Sequence, residues 1–325
     1  MLKNKEFDFI KNLKKYFIIS GAVFLIGIIM CVAFGPVLDI SFSGGTKIVY
    51  SYKGDIDTDK VASVTADSTG RKVNVTTSSG INDSSKKLTI SLADKKSLNT
   101  SAIDKLDKAL TSDKALSKYK MKQAEVNSVN PTVGSIFFMK CLVAVLIAAV
   151  FVIIYVAIRF RKIGGLSAGV TAMVALIHDI LLAFFVTVIF RLNIDSNFIA
   201  VVMTLLGYSL NNTIVVFDRV RENRRNLGTS KFTLDEIVNK SNNQVLGRNI
   251  MTTVTTFMAI LIVLIVCEIK GITALRSLTI PLCFGLVSGA YSSICIAPAL
   301  WVKWQDRIAK KKLEAKKNGT AKKSK

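Results

Sequence analysis

The sequence predicts an α-helical membrane protein: six transmembrane helices, with one α+β extracytoplasmic domain of ferredoxin-like type between helices 1 and 2. Three observations predict it. Hydrophobic residues make up 50% of the 325-residue chain and mean hydropathy is +0.43, more than soluble domains usually carry. Six apolar runs are each about 20 residues long, enough to cross a bilayer core as a helix. A polar stretch, 37–135, separates the first run from the second and alternates strand and helix patterns.

Taken in order, residues 1–15 form a basic N-terminus ending in Lys11-Asn-Leu-Lys-Lys15. The apolar run 16–36 follows. It is long for a signal peptide and no small-x-small cleavage pattern comes after it, so it is expected to remain as span 1. In the insert, 46–52 alternates β-branched and aromatic residues as a strand does. A short helix over 57–67 carries Val61 and Val64. Strands over 71–77 and 87–92 flank a turn at Ser79-Gly-Ile-Asn-Asp-Ser84. Residues 97–110 place Leu98, Ile103, Leu106 and Leu110 near helical period, and 121–126 is a last strand. The order β-α-β-β-α-β is the split arrangement of a ferredoxin-like sandwich. Nothing in it forms a catalytic constellation, so a binding or mechanical role fits.

The region 136–302 holds spans at 136–158, 164–190, 196–218, 249–268 and 275–302. Between the fourth and fifth, Thr233-Leu-Asp-Glu236 is a capping box. Leu234, Ile237, Val238 and Val245 form an apolar stripe after it, which predicts an elbow helix near 233–247 lying on the cytoplasmic membrane surface. A basic tail, 303–325, closes the chain.

The net charge of +22 raises the possibility of a nucleic-acid partner, but its distribution speaks against one. Of 44 basic residues, ten lie from Lys303 onward, five precede Tyr16, and ten fall in 159–162 and 219–248. These are the flanks of spans on one side. The links 191–195 and 268–271 on the other side carry few positive charges. The alternation puts both termini in the cytoplasm of a cell-membrane protein, with anionic lipids rather than nucleic acid as the partner of the charge. Cys31, Cys141, Cys267, Cys283 and Cys295 all fall in or at the ends of apolar spans without CxxC spacing. They read as small buried hydrophobes. One histidine excludes multi-histidine metal sites, no cofactor motif is present, and no Gly-Lys-Ser/Thr phosphate loop supports ATP hydrolysis.

Candidate functional residues lie inside the apolar spans, where polar groups are costly and usually face a bundle interior. Span 3 carries His178 and Asp179. Asp179 shares a helical face with Ala168, Ala172, Ala175 and Ala183. Two readings stand: Asp179 belongs to an ion or proton path with His178 beside it, or it is a buried carboxyl that holds helices together. Adjacent helical residues point about 100° apart, so the pair is not expected to form a dyad and an intramembrane enzyme is disfavoured. Span 4 carries Ser209, Asn211, Asn212 and Thr213, with Gly207, Asn211 and Asp218 on one face. In span 5, Arg248, Thr252 and Thr255 form one polar stripe. Span 6 offers Gly285, Gly289 and Ser292, with Tyr291 nearby. Spans 4, 5 and 6 are therefore expected to share a packed interior seam.

Several ordered motifs resemble the SecD/SecF family, within the resistance-nodulation-division (RND) superfamily. Leu38-Asp-Ile-Ser-Phe-Ser-Gly-Gly-Thr46, with Asp39, Gly44 and Gly45, resembles the family's Asp…Gly-Gly-Thr element. Val129-Asn-Pro-Thr-Val-Gly134 resembles the lead into span 2, and Arg159-Phe160 its end. Ala175-Leu-Ile-His-Asp179, the stretch Gly207 to Asn223 with Tyr208, Ser209, Asp218 and Arg219, and Tyr291-Ser-Ser293 follow in order. The resemblance covers about residues 7–305.

It implies half of a twelve-span SecDF-like assembly: an auxiliary export subunit that pairs with SecD and acts beside the SecYEG channel. YajC and YidC would be further neighbours. The subunit would use the ion-motive force to help draw a translocating preprotein outward. In the family, the position of Asn212 is commonly an aspartate, linked with an arginine matching Arg248 to proton conduction. An amide cannot take up and release a proton near neutral pH. Coupling would then rest on SecD carboxylates, or on Asp179, or on sodium held by Asn and Thr oxygens. The alternatives are an RND-type exporter of small molecules or lipids, and a non-conducting structural subunit.

Overall fold

The computed structural model describes residues 7–71, 73–79, 86–93, 98–227, 231–270, 272 and 275–323. Six helical segments are long and apolar enough to cross a membrane, with mean hydropathies from 1.7 to 3.2. They are α1 (Leu13–Phe34), α5 (Pro131–Arg159), α6 (Gly165–Ile189), α7 (Ser196–Leu227), α8 (Leu234–Ile269), and α9 (Arg276–Tyr291), which continues through a π-helical turn (Ser292–Ile296) into α10 (Ala297–Lys323). Helices α6 and α9 are the most enclosed, whereas α1, α5 and α8 expose long apolar faces.

Small residues let α6 sit at the centre. Ala168, Ala172, Ala175 and Ala183 are all buried on the face that also carries Asp179. A Cβ on Gly165 would lie 2.0 Å from the Ala157 carbonyl oxygen of α5, and one on Gly27 would lie 2.2 Å from the Phe185 ring. At one end of the bundle, Phe160 and Trp301 both pack on Phe217, at ring-centroid distances of 5.8 Å, with Phe9 in the same cluster.

Between α1 and α5 the chain forms β1 (Val37–Leu38), α2 (Ile40–Ser43), β2 (Gly45–Tyr52), α3 (Thr58–Thr69), β3 (Asn74–Ser79), β4 (Lys86–Ala93), α4 (Thr100–Ser112) and β5 (Lys122–Val129). Four of these strands make one antiparallel sheet in the order β3-β4-β2-β5. Its core is Ile48, Tyr50, Leu88, Ile90 and Leu92 from the strands against Val61, Leu106 and Leu110 from the helices. Asp57 caps α3 by accepting from the Asp59 and Lys60 N–H groups, and Asn99 caps α4 through Ala102. The expected turn at 79–84 lies outside the described residues beyond Ser79. Short pairings tie this domain to the bundle. β1 runs parallel to β6 (Asn193–Ile194), in the link between α6 and α7, and the Asp39 N–H donates to the Ile194 carbonyl at 3.1 Å.

Two expectations need correction. The elbow helix near 233–247 is not a separate surface element. Helix α8 runs unbroken through it from the Thr233–Glu236 capping box. At 36 residues it is about 54 Å long at 1.5 Å per residue, well beyond a bilayer core of about 30 Å. Its stripe is buried against protein: Ile237, Val238 and Val245 are enclosed, and Val238 and Val245 share a cluster with Phe9, Phe217 and Trp301. Span 4 likewise continues as helix to Leu227. Hydropathy marks only the lipid-facing part of a helix, while polar residues of good helix propensity carry it onward.

Candidate functional site

Asp179 is completely enclosed. Three hydroxyls from two other helical segments donate to its carboxylate: Ser209 of α7 at 2.8 Å, Ser288 of α9 at 2.6 Å, and Ser292 of the π turn at 2.7 Å. Hydrogen bonds to a charged group are worth roughly 1.5–3 kcal/mol each, and here they replace the hydration that burial removes. The wide turn at 292–296 follows Ser288 and starts at Ser292, so both hydroxyls face the same oxygen pair.

His178 does meet Asp179, against the expectation from helical geometry: Nδ1 lies 3.2 Å from Oδ1. The Cβ atoms diverge, but the imidazole reaches back around the helix. A carboxylate only accepts, so a hydrogen bond here places a proton on Nδ1, and Nε2 lies 2.9 Å from Ser20 Oγ of α1. Ser20 Oγ is 3.4 Å from the Tyr291 hydroxyl, which donates to the Tyr16 carbonyl at 2.9 Å. Phe24 packs on the imidazole with ring centroids 5.0 Å apart. The polar groups thus run from Asp179 through His178, Ser20 and Tyr291 to the backbone of α1.

A second polar group continues the seam between α7, α8 and the π turn. Tyr208 donates to Thr253 Oγ1 at 2.6 Å, Thr213 to Ser293 at 3.0 Å, and Ser293 to the Ser209 carbonyl at 3.2 Å. Pro298 has no N–H to offer the Ile294 carbonyl; that carbonyl accepts from Asn242 Nδ2 at 3.0 Å. Asn212 is buried beside this group, and its Nδ2 has no hydrogen-bond partner among the described residues. Asn249 Nδ2 and Asn242 Oδ1 are in the same condition. Unpaired buried amide groups cost roughly 1–3 kcal/mol each.

Other candidates fall elsewhere. Asn211 is exposed and a Cβ on Gly207 would meet nothing within 4 Å, so that face of α7 is open among the described residues. Arg248 and Thr255 are also exposed and Thr252 is half-buried. Both threonine hydroxyls bond back to carbonyls of their own helix. The buried polar stripe of α8 is instead Asn242, Asn249 and Thr253, one residue along from the expected one. Arg248 lines a cavity of about 620 Å³ with Arg159, Asp218, Arg219 and Gln244. There Asp218 of α7 pairs with Arg159 at the end of α5 at 2.9 Å and with Arg221 one turn along its own helix at 3.0 Å, while Arg219 donates to Gln244 of α8 at 2.6 Å.

Where the inserted domain meets the bundle, Asp39 caps α2 by accepting from the Ser41 N–H and hydroxyl. Gly44 and Gly45 hold positive φ of 78° and 133° as the chain turns into β2, and Gly134 of α5 packs so closely that a Cβ there would sit 3.0 Å from the Gly44 nitrogen. Across from them, burial pushes the Asp195 carboxyl above the usual carboxylate range. The Phe198 N–H and the Ser277 hydroxyl pull the other way, and the nearby Asp39 charge adds to the rise. A carboxyl raised in the folded state binds its proton more tightly there than in the unfolded chain. Its ionisation therefore weakens the fold as pH climbs through the folded value, and protonation restores that stability. Thermal unfolding at a series of pH values should show a weaker acid-side stabilisation in Asp195→Asn than in the parent chain.

The sequence signals for the Asp179 cage were incomplete. Ser209 and Ser292 were legible as polar breaks in apolar spans, but nothing marked Ser20 or Ser288 before the helices were assembled.

Comparison with known proteins places these features in a family context. The family model described as protein export membrane protein SecD/SecF, C-terminal, matches residues 109–307. The protein translocase subunit SecF of Alicyclobacillus acidocaldarius is 33% identical over 314 residues, covering 94% of this chain and 95% of that protein. The protein translocase subunit SecDF of Bacillus subtilis is also 33% identical over 314 residues, but the match covers 39% of its length. The crystal structure of SecDF from Thermus thermophilus superposes with a TM-score of 0.75 at 25% identity, covering 93% of this chain and 39% of that one.

Proposed function

The chain belongs to the SecD/SecF family of protein-export membrane proteins, and from that premise we propose that it is an auxiliary subunit of the Sec machinery that pairs with SecD. In this reading the pair promotes ion-motive-force-driven late steps of preprotein translocation through SecYEG. The observation that carries it is the end-to-end match to a translocase subunit of the same length, together with a spatial match to about two fifths of SecDF. The chain would be one half of an assembly whose other half SecD supplies.

Finer assignments follow from the same reading. Both termini and the basic links lie in the cytoplasm, and the inserted domain lies outside. The domain is ferredoxin-like, a reading supported by two helices on a four-stranded antiparallel sheet in the order β3-β4-β2-β5. The open face of α7 and α8 with Gly207, Asn211, Arg248 and Thr255 receives SecD. YajC, YidC, the preprotein and anionic lipids are the remaining partners. The subunit acts without ATPase or hydrolase chemistry of its own.

Asp179 is the coupling group of this half. The support is its enclosure, its donors from two other helical segments, and its link through His178 to α1. Asn212 adds an amide where the family commonly has a carboxylate, so ion transfer at that point rests on SecD. Asn212→Asp tests this. Export of a reporter preprotein into vesicles, measured under proton and sodium gradients, should gain proton dependence in the variant. Export unchanged by the substitution would overturn the account of Asn212.

A further inference from the structure

The basic end of the bundle holds a recess that the export reading does not use. It measures about 690 Å³ and is lined by Lys162 and Ile163, from the link between α5 and α6, and by Arg221, Glu222, Arg224, Arg225 and Asn226 of α7. Four of these side chains are cationic and one is acidic. Glu222 is already engaged by Arg219 at 2.6 Å, and Arg221 shares Asp218. Lys162, Arg224 and Arg225 make no salt bridge among the described residues. Such a concentration of like charge repels itself unless an anion occupies it. Arginine forks match the oxygens of a phosphate group.

The surroundings select the kind of phosphate. The recess lies at the ends of helices that are apolar up to that level. Ile158, four residues before Lys162, is 69% exposed, and Leu166, four residues after it, is 68% exposed. Ile163 itself lines the recess. A ligand here meets phosphate-binding cations next to surface that prefers hydrocarbon. We propose that this recess binds the headgroup phosphate of an anionic phospholipid, held chiefly by Lys162, Arg224 and Arg225. The inference rests on reading α5, α6 and α7 as membrane spans. It is separate from the coupling role of Asp179.

The test uses the full chain, purified in detergent, with native mass spectrometry reading bound lipid. Phosphatidylglycerol should be retained at least about tenfold more tightly than phosphatidylcholine by the parent chain; equal retention overturns the proposal without recourse to any variant. The triple change Lys162→Gln, Arg224→Gln, Arg225→Gln should weaken phosphatidylglycerol binding by about tenfold or more. The control Lys303→Gln, Lys310→Gln, Lys311→Gln removes as much charge from the tail and should leave binding within about twofold. Equal loss in both variants would mean diffuse attraction and overturn the site. Displacement of the lipid by millimolar inorganic phosphate would identify a soluble phosphate as the ligand and overturn the lipid assignment. Because binding is read on the isolated chain, its failure leaves the export reading standing.

Discussion

Asp179→Asn is expected to reduce export to the level of cells lacking the subunit, while the protein still folds. The carboxylate accepts from three serine hydroxyls and from His178. An amide of the same shape keeps one acceptor oxygen and turns an NH₂ group toward hydroxyls that were donating. The serines can rotate and accept, so the folding loss should be about 1–3 kcal/mol. Asp179→Ala removes the acceptor altogether and should cost more than about 3 kcal/mol, because several donors are left unpaired at once. Ser209→Ala separates structure from coupling. It deletes one donor at about 1–2 kcal/mol but leaves the charge, and export should survive. The measurements are thermal unfolding in detergent and export of a reporter preprotein. If Asp179→Asn exports like the parent, the carboxylate is a structural tie, and the subunit is a scaffold in this region.

Gly165→Ala should be the most damaging single methyl group in the bundle. Its Cβ would stand 2.0 Å from the Ala157 carbonyl oxygen and 2.8 Å from the carbonyl carbon. Both are backbone atoms, so no rotamer change relieves the contact. Helices α5 and α6 must separate, and the seam between them loses packing along its length. Overpacking of a tight core costs about 1–3 kcal/mol, and contact with backbone puts this site at or above the upper end. Gly21→Ala is the control. Among the described residues nothing lies within 4 Å of a Cβ there, so only the helix-propensity gain of up to about 1 kcal/mol remains. The two unfolding midpoints should move in opposite directions; similar shifts would refute close packing of α5 on α6.

Much of this was readable from the sequence, for physical reasons that differ by element. The spans announce themselves because a bilayer demands about 20 apolar residues of each. The inward face of α6 was legible because close packing leaves a row of alanines, and that row points to Asp179. The helical extensions beyond the membrane were not legible from hydropathy, since water imposes no such length rule. The polar stripe of α8 that faces protein lies one residue along from the stripe that spacing predicts. Arg248, Thr252 and Thr255 satisfy the spacing of a helical face, but so do Asn242, Asn249 and Thr253, and only packing against Tyr208 and Ile294 selects between them. The contact of His178 with Asp179 is not legible from Cβ directions, because the imidazole is long enough to bend back around the helix.

The π-helical turn in the last span has a consequence for how motion can pass along it. A turn closed over five residues instead of four carries one extra residue, equivalent to about 100° of helical rotation. Everything after Ile296 is therefore out of phase with α9. Ser288 faces Asp179 on one side of the turn, while Trp301 faces Phe217 on the other. The span works as two shafts joined at a fixed angular offset, and Ser292 and Ser293 at the joint are held by Asp179 and by the backbone of α7. A change at the carboxylate would act on the joint itself and on Ser288 beside it, and twisting there would turn the distal shaft against α6, α7 and α8.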